Sequence, residues 1–238
     1  MPEPDLEKRH KRYTQQAHWS AALRKHMYNQ LPRNKPLSIL EVGCGSGAVL
    51  HCIADEIPDR VGILTGIDID PAAARFSSRD RNFRIGIADG ERLPFRAESF
   101  DLVFCHYLLL WCRDPRAVVR EMRRVTAEGG ICAALAEPCY IELEASPDSL
   151  YRIACFQRQR LAELGADVGI GGEIGDLFRN AGFERFEFGC YQKGEMTEAY
   201  LNAEIRQIAE DIRIDPSEVC EGRPHVYHVP TYFAFAVK

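Results

Sequence analysis

The sequence predicts a doubly wound α/β domain built on a parallel sheet, and three observations predict it. Short β-branched runs alternate with segments of helical apolar period between residues 37 and 136. The first of these runs feeds a glycine-rich turn, Gly43-Cys44-Gly45-Ser46-Gly47, that leads straight into a helix. A chain of 238 residues with 46% hydrophobic composition can bury the single core that such a sheet needs.

Taken in order, Trp19, Leu23, Met27 and Leu31 fall at four-residue steps, with Tyr13, Ala17 and Ala21 on a neighbouring row. This spacing predicts one amphipathic helix over residues 8–31, ended by Pro32 and Pro36. Leu37 to Val42 is the first strand, and Val49, Leu50, Ile53 and Ile57 mark a helix that runs to Pro58. Val61 to Asp68 is the second strand, Pro71 opens a short helix, and Phe83 to Ile87 and Phe100 to Cys105 are the third and fourth strands. Asp114 is an N-cap with Pro115 at the first helical position; Val118, Val119, Met122 and Val125 face inward, with Gly129 and Gly130 closing that helix before a fifth strand, Ile131 to Ala136. Right-handed crossovers place helices on both faces of such a sheet and ligands at the carboxyl ends of its strands.

The pattern changes after Glu137. A helix from Ser146-Pro147 carries Leu150, Ile153, Leu161 and Leu164 inward, and a second, marked by Ile174, Leu177 and Phe178, closes at Gly182. Phe183 to Gly189 reads as a strand, a helix from near Thr197 carries Leu201, Ile205, Ile208 and Ile212, and Tyr232 to Val237 closes the chain as a strand. With no repeat or linker to cut at, residues 1–238 form one domain with an N-terminal lid helix at 8–31 and helical cap inserts at about 145–181 and 192–229.

A net charge of -5 argues against a polyanion as main partner and favours a small molecule. No apolar run reaches membrane-spanning length and the charged start lacks an apolar signal segment, so a cytoplasmic, non-membrane protein is expected, monomeric or homodimeric. Nine cysteines, widely spaced and without a C-x-x-C pair, read as reduced thiols. His225 and His228 have no partner at ligand spacing, so no metal is expected. The basic run Lys8 to Arg12 reads as a solvated helix face, with docking of RNA or an anionic substrate as the lesser reading.

The glycine turn lets backbone approach a ligand closely. Because Gly43, Gly45 and Ala48 also fit the G-x-G-x-x-G/A spacing, the turn by itself leaves a nicotinamide dinucleotide enzyme open. Asp68, at the end of the second strand, is placed to accept both hydroxyls of an adenosine ribose, while Asp70 before Pro71 is the better helix cap.

The stretches ILEVGCGSG (39–47), GIDID (66–70), ADGERLPF (88–95), FDLVFCHYLLLW (100–111), EMRRVTAEGG (121–130) and FAFAV (233–237) together resemble the class I S-adenosylmethionine-dependent methyltransferases. The resemblance implies a Rossmann-like seven-stranded sheet in the order 3-2-1-4-5-7-6 with the seventh strand antiparallel. It also implies S-adenosylmethionine as cofactor. By the same resemblance Gly43, Cys44 and Gly45 line the cofactor, Asp68 takes its ribose, Ile69 packs on the adenine, and Asp89 with Gly90 meets the adenine amino end. Cys105 or His106 lies beside the methionine part, Tyr13 covers it, and Glu41 fixes the loop or the ammonium group. HYLLLW (106–111) and LAEP-x-Y (135–140) resemble a type 11-like branch acting on small molecules, from which Cys139 departs where an acidic residue is expected. The NPPY and DPPY motifs of nucleic-acid amino methylation are absent after the fourth strand.

Methyl transfer from a sulfonium depends first on alignment in a dry pocket, and a hydroxyl or acidic-carbon acceptor also needs a proton acceptor. His106, at the carboxyl end of a central strand, is the candidate base, and Tyr107, Trp111 and Tyr140 are candidate walls of the acceptor pocket. Two alternatives stand beside this reading: a catalytically silent cofactor-binding protein, and an RNA or protein methyltransferase docking through its basic N-terminus.

Overall fold

The computed structural model describes residues 6–77, 83–191, 205–206, 208 and 226–238. Its strands are β1 (Leu37–Val42), β2 (Val61–Asp68), β3 (Arg84–Ile87), β4 (Phe100–Cys105), β5 (Thr126–Pro138), β6 (Glu144–Ser146), β7 (Phe186–Tyr191), β8 (Val226–His228) and β9 (Thr231–Val237). Seven of them form one sheet in the order β3-β2-β1-β4-β5-β9-β7. The first five run parallel, and β9 is antiparallel to both β5 and β7. This is the expected order and strand direction, with β7 and β9 as the sixth and seventh strands. The β6–β8 pair is a separate two-stranded sheet that periodicity did not reveal, because three-residue strands carry too few alternations to be read.

Helices α1 (Leu6–Trp19), α2 (Ala21–Gln30), α3 (Ala48–Glu56), α4 (Pro71–Ser77), α5 (Pro115–Val125), α6 (Asp148–Glu163) and α7 (Ile170–Asn180) complete the described elements. Successive strand residues point to opposite faces, so the central strands bury both. Ile39, Leu102, Phe104, Leu135 and Phe235 pack on one face with Met27 and Tyr28 of α2 and Leu50 and Ile53 of α3. Leu40, Val42, Val103 and Cys105 pack on the other with Val118 and Met122 of α5 and Ile174, Leu177 and Phe178 of α7. Among the described residues no helix is long and apolar enough to cross a membrane.

The expected single helix over 8–31 is instead two, broken at Ser20. The reason is Arg24, which apolar spacing did not register. Its side chain is fully buried, donating from Nη1 to the Ala17 carbonyl at 2.5 Å and to Ser20 Oγ at 3.0 Å, and from Nε and Nη2 to Glu56 of α3 at 3.0 and 2.6 Å. Tyr28 adds a hydroxyl to Glu56 at 2.8 Å. The end of α1, the start of α2 and α3 are thereby tied together.

Three smaller corrections follow from packing. Helix α5 ends at Val125 and β5 begins at once, so Gly129 and Gly130 lie in an irregular start of β5 and do not cap the helix. Leu150 and Ile153 of α6 are buried as expected, but Leu164 lies beyond the helix and is exposed. Strand β7 starts at Phe186, and Phe183 packs against Phe178. The helix expected from Thr197 falls largely outside the described residues, as does His225; Ile205 and Ile208 are described and are buried with Leu143, Leu150, Ile153, Tyr227 and Val229 in a small second core.

Glu137, at the end of β5, positions the turn that follows β4. Its fully buried carboxylate accepts from the backbone N–H of Leu108 (3.1 Å) and Leu109 (3.0 Å) and from the Cys105 thiol (3.6 Å), while Tyr107 N donates to the Ala136 carbonyl at 3.2 Å. Tyr107 is held at φ 52°, an uncommon conformation for a tyrosine, so the turn is over-determined by its bonds.

Two outcomes are expected. Phe104→Ala should lower stability by about 3–5 kcal/mol, read as a shifted midpoint in chemical denaturation; an unmoved midpoint would contradict the two-faced core. Burial lifts the Glu137 carboxyl from 4.5 to about 7, against its hydrogen bonds, which favour the ionised form. Between those pH values the unfolded chain releases a proton that the folded chain keeps, so this group lowers stability as pH rises from 4.5 to about 7 and adds no further change above. Glu137→Gln should flatten that decline, which is worth ~3 kcal/mol, in unfolding curves taken across the range; an unchanged slope would contradict it.

Candidate active site

The site begins where β1 ends. Gly43 N and Cys44 N both donate to the Ile67 carbonyl, at 2.8 and 2.9 Å, which turns the chain sharply at the mouth of β2. Gly43 and Gly45 have φ of 72° and 50°, the left-handed region open to glycine. A Cβ on Gly43 would also stand 2.5 Å from a methyl carbon of Leu108. Cys44 turns its thiol inward against Gly66, so only its backbone serves the loop, and burial raises the thiol well above its ordinary range.

Asp68 closes this loop from β2. One carboxylate oxygen accepts from Gly45 N at 2.7 Å and the other from Asp70 N at 2.8 Å. A carboxylate offers about four lone-pair sites, so two remain for a ligand's hydroxyls. Asp70 accepts from Ala72 N at 2.8 Å in the capping role expected of it. Next to Asp68, Ile69 is 69% exposed, and Ile87 of β3, which pairs with Asp68 across the ladder, is 60% exposed. Two bare isoleucines at the carboxyl ends of adjacent strands suit a flat apolar group. Ile87 was legible only as a strand residue and was not singled out. Asp89 is exposed and accepts from Glu91 N at 2.9 Å, and the adjoining Gly90 lies against Val42.

Beneath the loop, Glu41 is 2% exposed and its Oε2 has no hydrogen-bond partner among the described residues. Burial holds its carboxyl well above the usual carboxylate range, and the charge of Asp68 adds to this while Arg24 opposes it. An unsatisfied buried carboxylate oxygen costs free energy that a cationic ligand group would offset. These features fit an adenosine-bearing cofactor with a charged amino group.

Above the loop lies α1. The Tyr13 ring comes within 3.2 Å of where a Gly45 Cβ would stand, as a covering aromatic should. His10 Nδ1 lies 2.8 Å from Ser46 Oγ, and Arg9 donates to the Tyr13 hydroxyl at 3.1 Å and pairs with Asp70 at 3.7 Å. Part of the basic run is therefore engaged with the loop, and the reading of that run as a wholly solvated face is corrected. The signal was present in the spacing of Tyr13, four residues after Arg9 and three after His10.

On the acceptor side, the Cys105 side chain is fully buried and points to Glu137, leaving His106 as the side chain presented beyond β4. His106 Nε2 lies 2.9 Å from Ser20 Oγ, and its ring meets that of Tyr107 edge-on at 5.0 Å. Trp111, half exposed, ends a 3-10 turn over Leu109–Trp111; Tyr140 begins another after β5. The loop after α6 links these turns, Asp167 N donating to Leu110 O and Tyr140 N to Val168 O, both at 2.7 Å. Tyr140 also packs on both the sheet core and the small second core. Ser20 and Glu137 are the participants that sequence reading missed. Among the described residues no three His, Cys, Asp or Glu side chains gather as a metal site.

Comparison with known proteins agrees with this geometry. Residues 40–134 match the family model described as a methyltransferase domain. A malonyl-[acyl-carrier protein] O-methyltransferase of Hahella chejuensis is 32% identical over 147 residues, 58% of this chain and 52% of that protein. A mitochondrial arginine hydroxylase of Danio rerio is 29% identical over 160 residues, 63% of this chain and 46% of that protein. The chain thus spans about half the length of the curated relatives it matches. The chain solved in complex with a Haloferax volcanii methyltransferase activator superposes with a TM-score of 0.65 at 18% identity, covering 97% of this chain and 95% of that one, which shows a shared fold. The sheet order, the glycine turn clasped by Asp68 and the methyltransferase-domain match over residues 40–134 agree with one another, and together they resemble the class I S-adenosylmethionine-dependent methyltransferases.

Proposed function

We propose that this protein is an enzyme that methylates a small organic acceptor, free or carried as an acyl group. The observation that carries the reading is the Asp68 carboxylate, fixed between the Gly45 and Asp70 amides with acceptor capacity to spare. S-adenosylmethionine, when bound, supplies an activated methyl group on a sulfonium. The residues fit it as follows. Asp68 holds the ribose hydroxyls, Glu41 the amino group, Ile69 and Ile87 the adenine faces, Asp89 with Gly90 the adenine edge, and Tyr13 covers the Gly43–Gly45 turn. Their contribution is to orient and to exclude water.

A small acceptor is supported by three features. The second small core adjoins Tyr140, just after β5. Tyr107 meets the ring of His106, the candidate base, edge-on, and Trp111 and Tyr140 lie in the turns after the neighbouring strands β4 and β5, so these three are assigned as aromatic walls of the acceptor pocket. The net charge of -5 disfavours an RNA track. The relative named for a malonyl acyl-carrier substrate supports an acyl-bearing acceptor. We further propose that the protein works in the cytoplasm as a monomer or homodimer without a metal.

Asp68→Ala should weaken binding of S-adenosylhomocysteine by about 1–3 kcal/mol, the cost of a lost charged acceptor, in calorimetric titration; unchanged affinity would remove Asp68 from the site. For the acceptor, the protein is incubated with S-adenosylmethionine and panels of small hydroxy acids, amines, acyl thioesters and total RNA, and S-adenosylhomocysteine is followed by mass spectrometry. Turnover with a small or acyl compound is expected. Turnover with RNA alone, or tight cofactor binding with no turnover at all, would contradict the proposal.

A further inference from the structure

We infer that Trp111 and Ile141 form a subsite for an apolar chain, so that the acceptor carries several carbons of hydrocarbon beyond the group that receives the methyl. The inference rests on the reading of this end of the sheet as a methyl-transfer site.

Among the described residues, four of the exposed large apolar side chains stand at the carboxyl ends of strands: Ile69 after β2, Ile87 at the end of β3, Trp111 after β4 and Ile141 after β5. Single apolar residues scattered over a surface need no explanation. A row along the edge where an open sheet binds its ligands does. Ile69 and Ile87 serve the adenine in the cofactor reading. Trp111, 49% exposed, and Ile141, 61% exposed, follow the strands on the other side of β1, where the acceptor is placed.

Neither side chain is required by the turn that carries it. In the turn over Leu109–Trp111 both leucines are buried, and the backbone is fixed by Glu137 at the Leu108 and Leu109 amides and by Trp111 N donating to Leu108 O at 2.9 Å. In the turn over Tyr140–Glu142, Cys139 N donates to Pro230 O at 2.8 Å and Tyr140 N to Val168 O at 2.7 Å. Leaving an indole and an isoleucine in water gains the fold nothing.

The two turns are held side by side. Leu110 O, just before Trp111, accepts from Asp167 N, and Tyr140 N, just before Ile141, donates to Val168 O, both at 2.7 Å. Residues 167 and 168 are consecutive, with Cα atoms about 3.8 Å apart. At Gly169, which follows, a Cβ would stand 3.2 Å from Ile141 Cδ1, so a side chain there would crowd the isoleucine. The flanking charges are turned to protein partners, Arg113 donating to Glu91 at 3.1 Å and Glu142 accepting from the Tyr232 hydroxyl at 2.5 Å. What remains is an apolar strip on a fixed backbone. Its area is on the order of 200 Å², against roughly 800 Å² per partner in a stable protein interface, which suits the chain of a small ligand and not a second copy.

The test uses the full chain with S-adenosylhomocysteine present and the acetyl, butyryl, hexanoyl and octanoyl thioesters of N-acetylcysteamine as probes. In calorimetric titration, affinity should rise by about twofold to fourfold for each added methylene, the upper figure matching full burial of the group. Trp111→Ser and Ile141→Ser should each flatten that rise with the unfolding midpoint unmoved, since both side chains are exposed. In Trp19→Phe, which leaves Trp111 as the one indole, the octanoyl thioester should move the emission to shorter wavelength. No rise with chain length in the unmutated chain, or a rise that survives in both serine variants, would overturn the inference. So would an emission shift produced by phosphatidylcholine vesicles and by none of the thioesters, which would assign the strip to a lipid surface. Failure of the unmutated chain to bind S-adenosylhomocysteine would instead overturn the methyl-transfer reading, and the chain-length series repeated without it would still decide the subsite.

Discussion

The bond on which the rest of the site depends is the one from Gly45 N to the carboxylate of Asp68, at 2.7 Å. It joins the turn after β1 to the turn after β2, whose strands already lie side by side. Amides of Gly43 and Cys44 reach back to β2 at Ile67, and the left-handed glycines allow the chain to make that turn without a side chain in the way. The concave surface of the loop, the bare isoleucines beyond it and the buried carboxylate beneath it all take their places from this clasp. Electrostatics add a constraint: the charge of Asp68 reaches Glu41, and burial, the larger cause, holds the Glu41 carboxyl toward its neutral form.

A second tie brings the N-terminal helices to the same place. Arg24 is an expensive residue to bury, and its pairing with Glu56 offsets that cost only because the geometry is bidentate and further hydrogen bonds satisfy the remaining donors. The result is a rigid joint at Ser20, from which α1 lies over the glycine turn through His10 and Tyr13 while the joint itself meets His106. One pair of helices therefore touches both the cofactor loop and the strand end where chemistry is proposed. Glu137 does the corresponding work from the other side, by holding the backbone of the turn that carries His106 and Tyr107.

Much of this architecture was legible in the sequence for a physical reason. β1 and β4 are buried on both faces and so read as largely apolar runs, and α3 and α5 carry strong apolar stripes between proline and capping signals. The glycines and Asp68 were found because the turn and the end of β2 dictate their residue types, and Asp89 through the family resemblance. What was not legible depends on contacts distant in sequence. Nothing local marks Arg24 as buried until α3 supplies Glu56, and Ser20 looks like an ordinary helical serine until β4 brings His106 to it. Glu137 is likewise an acidic residue at a strand end until the turn after β4 offers it two amides. The small β6–β8 sheet escaped for want of length.

The central claim is that this loop and its carboxylates form a site for S-adenosylmethionine rather than for a nicotinamide dinucleotide, whose glycine spacing the turn also satisfies. Calorimetric titration of the full chain with S-adenosylhomocysteine and, in parallel, with NADH tests it most directly. One-to-one binding of S-adenosylhomocysteine without binding of NADH is predicted; binding of NADH with no response to S-adenosylhomocysteine would contradict the account.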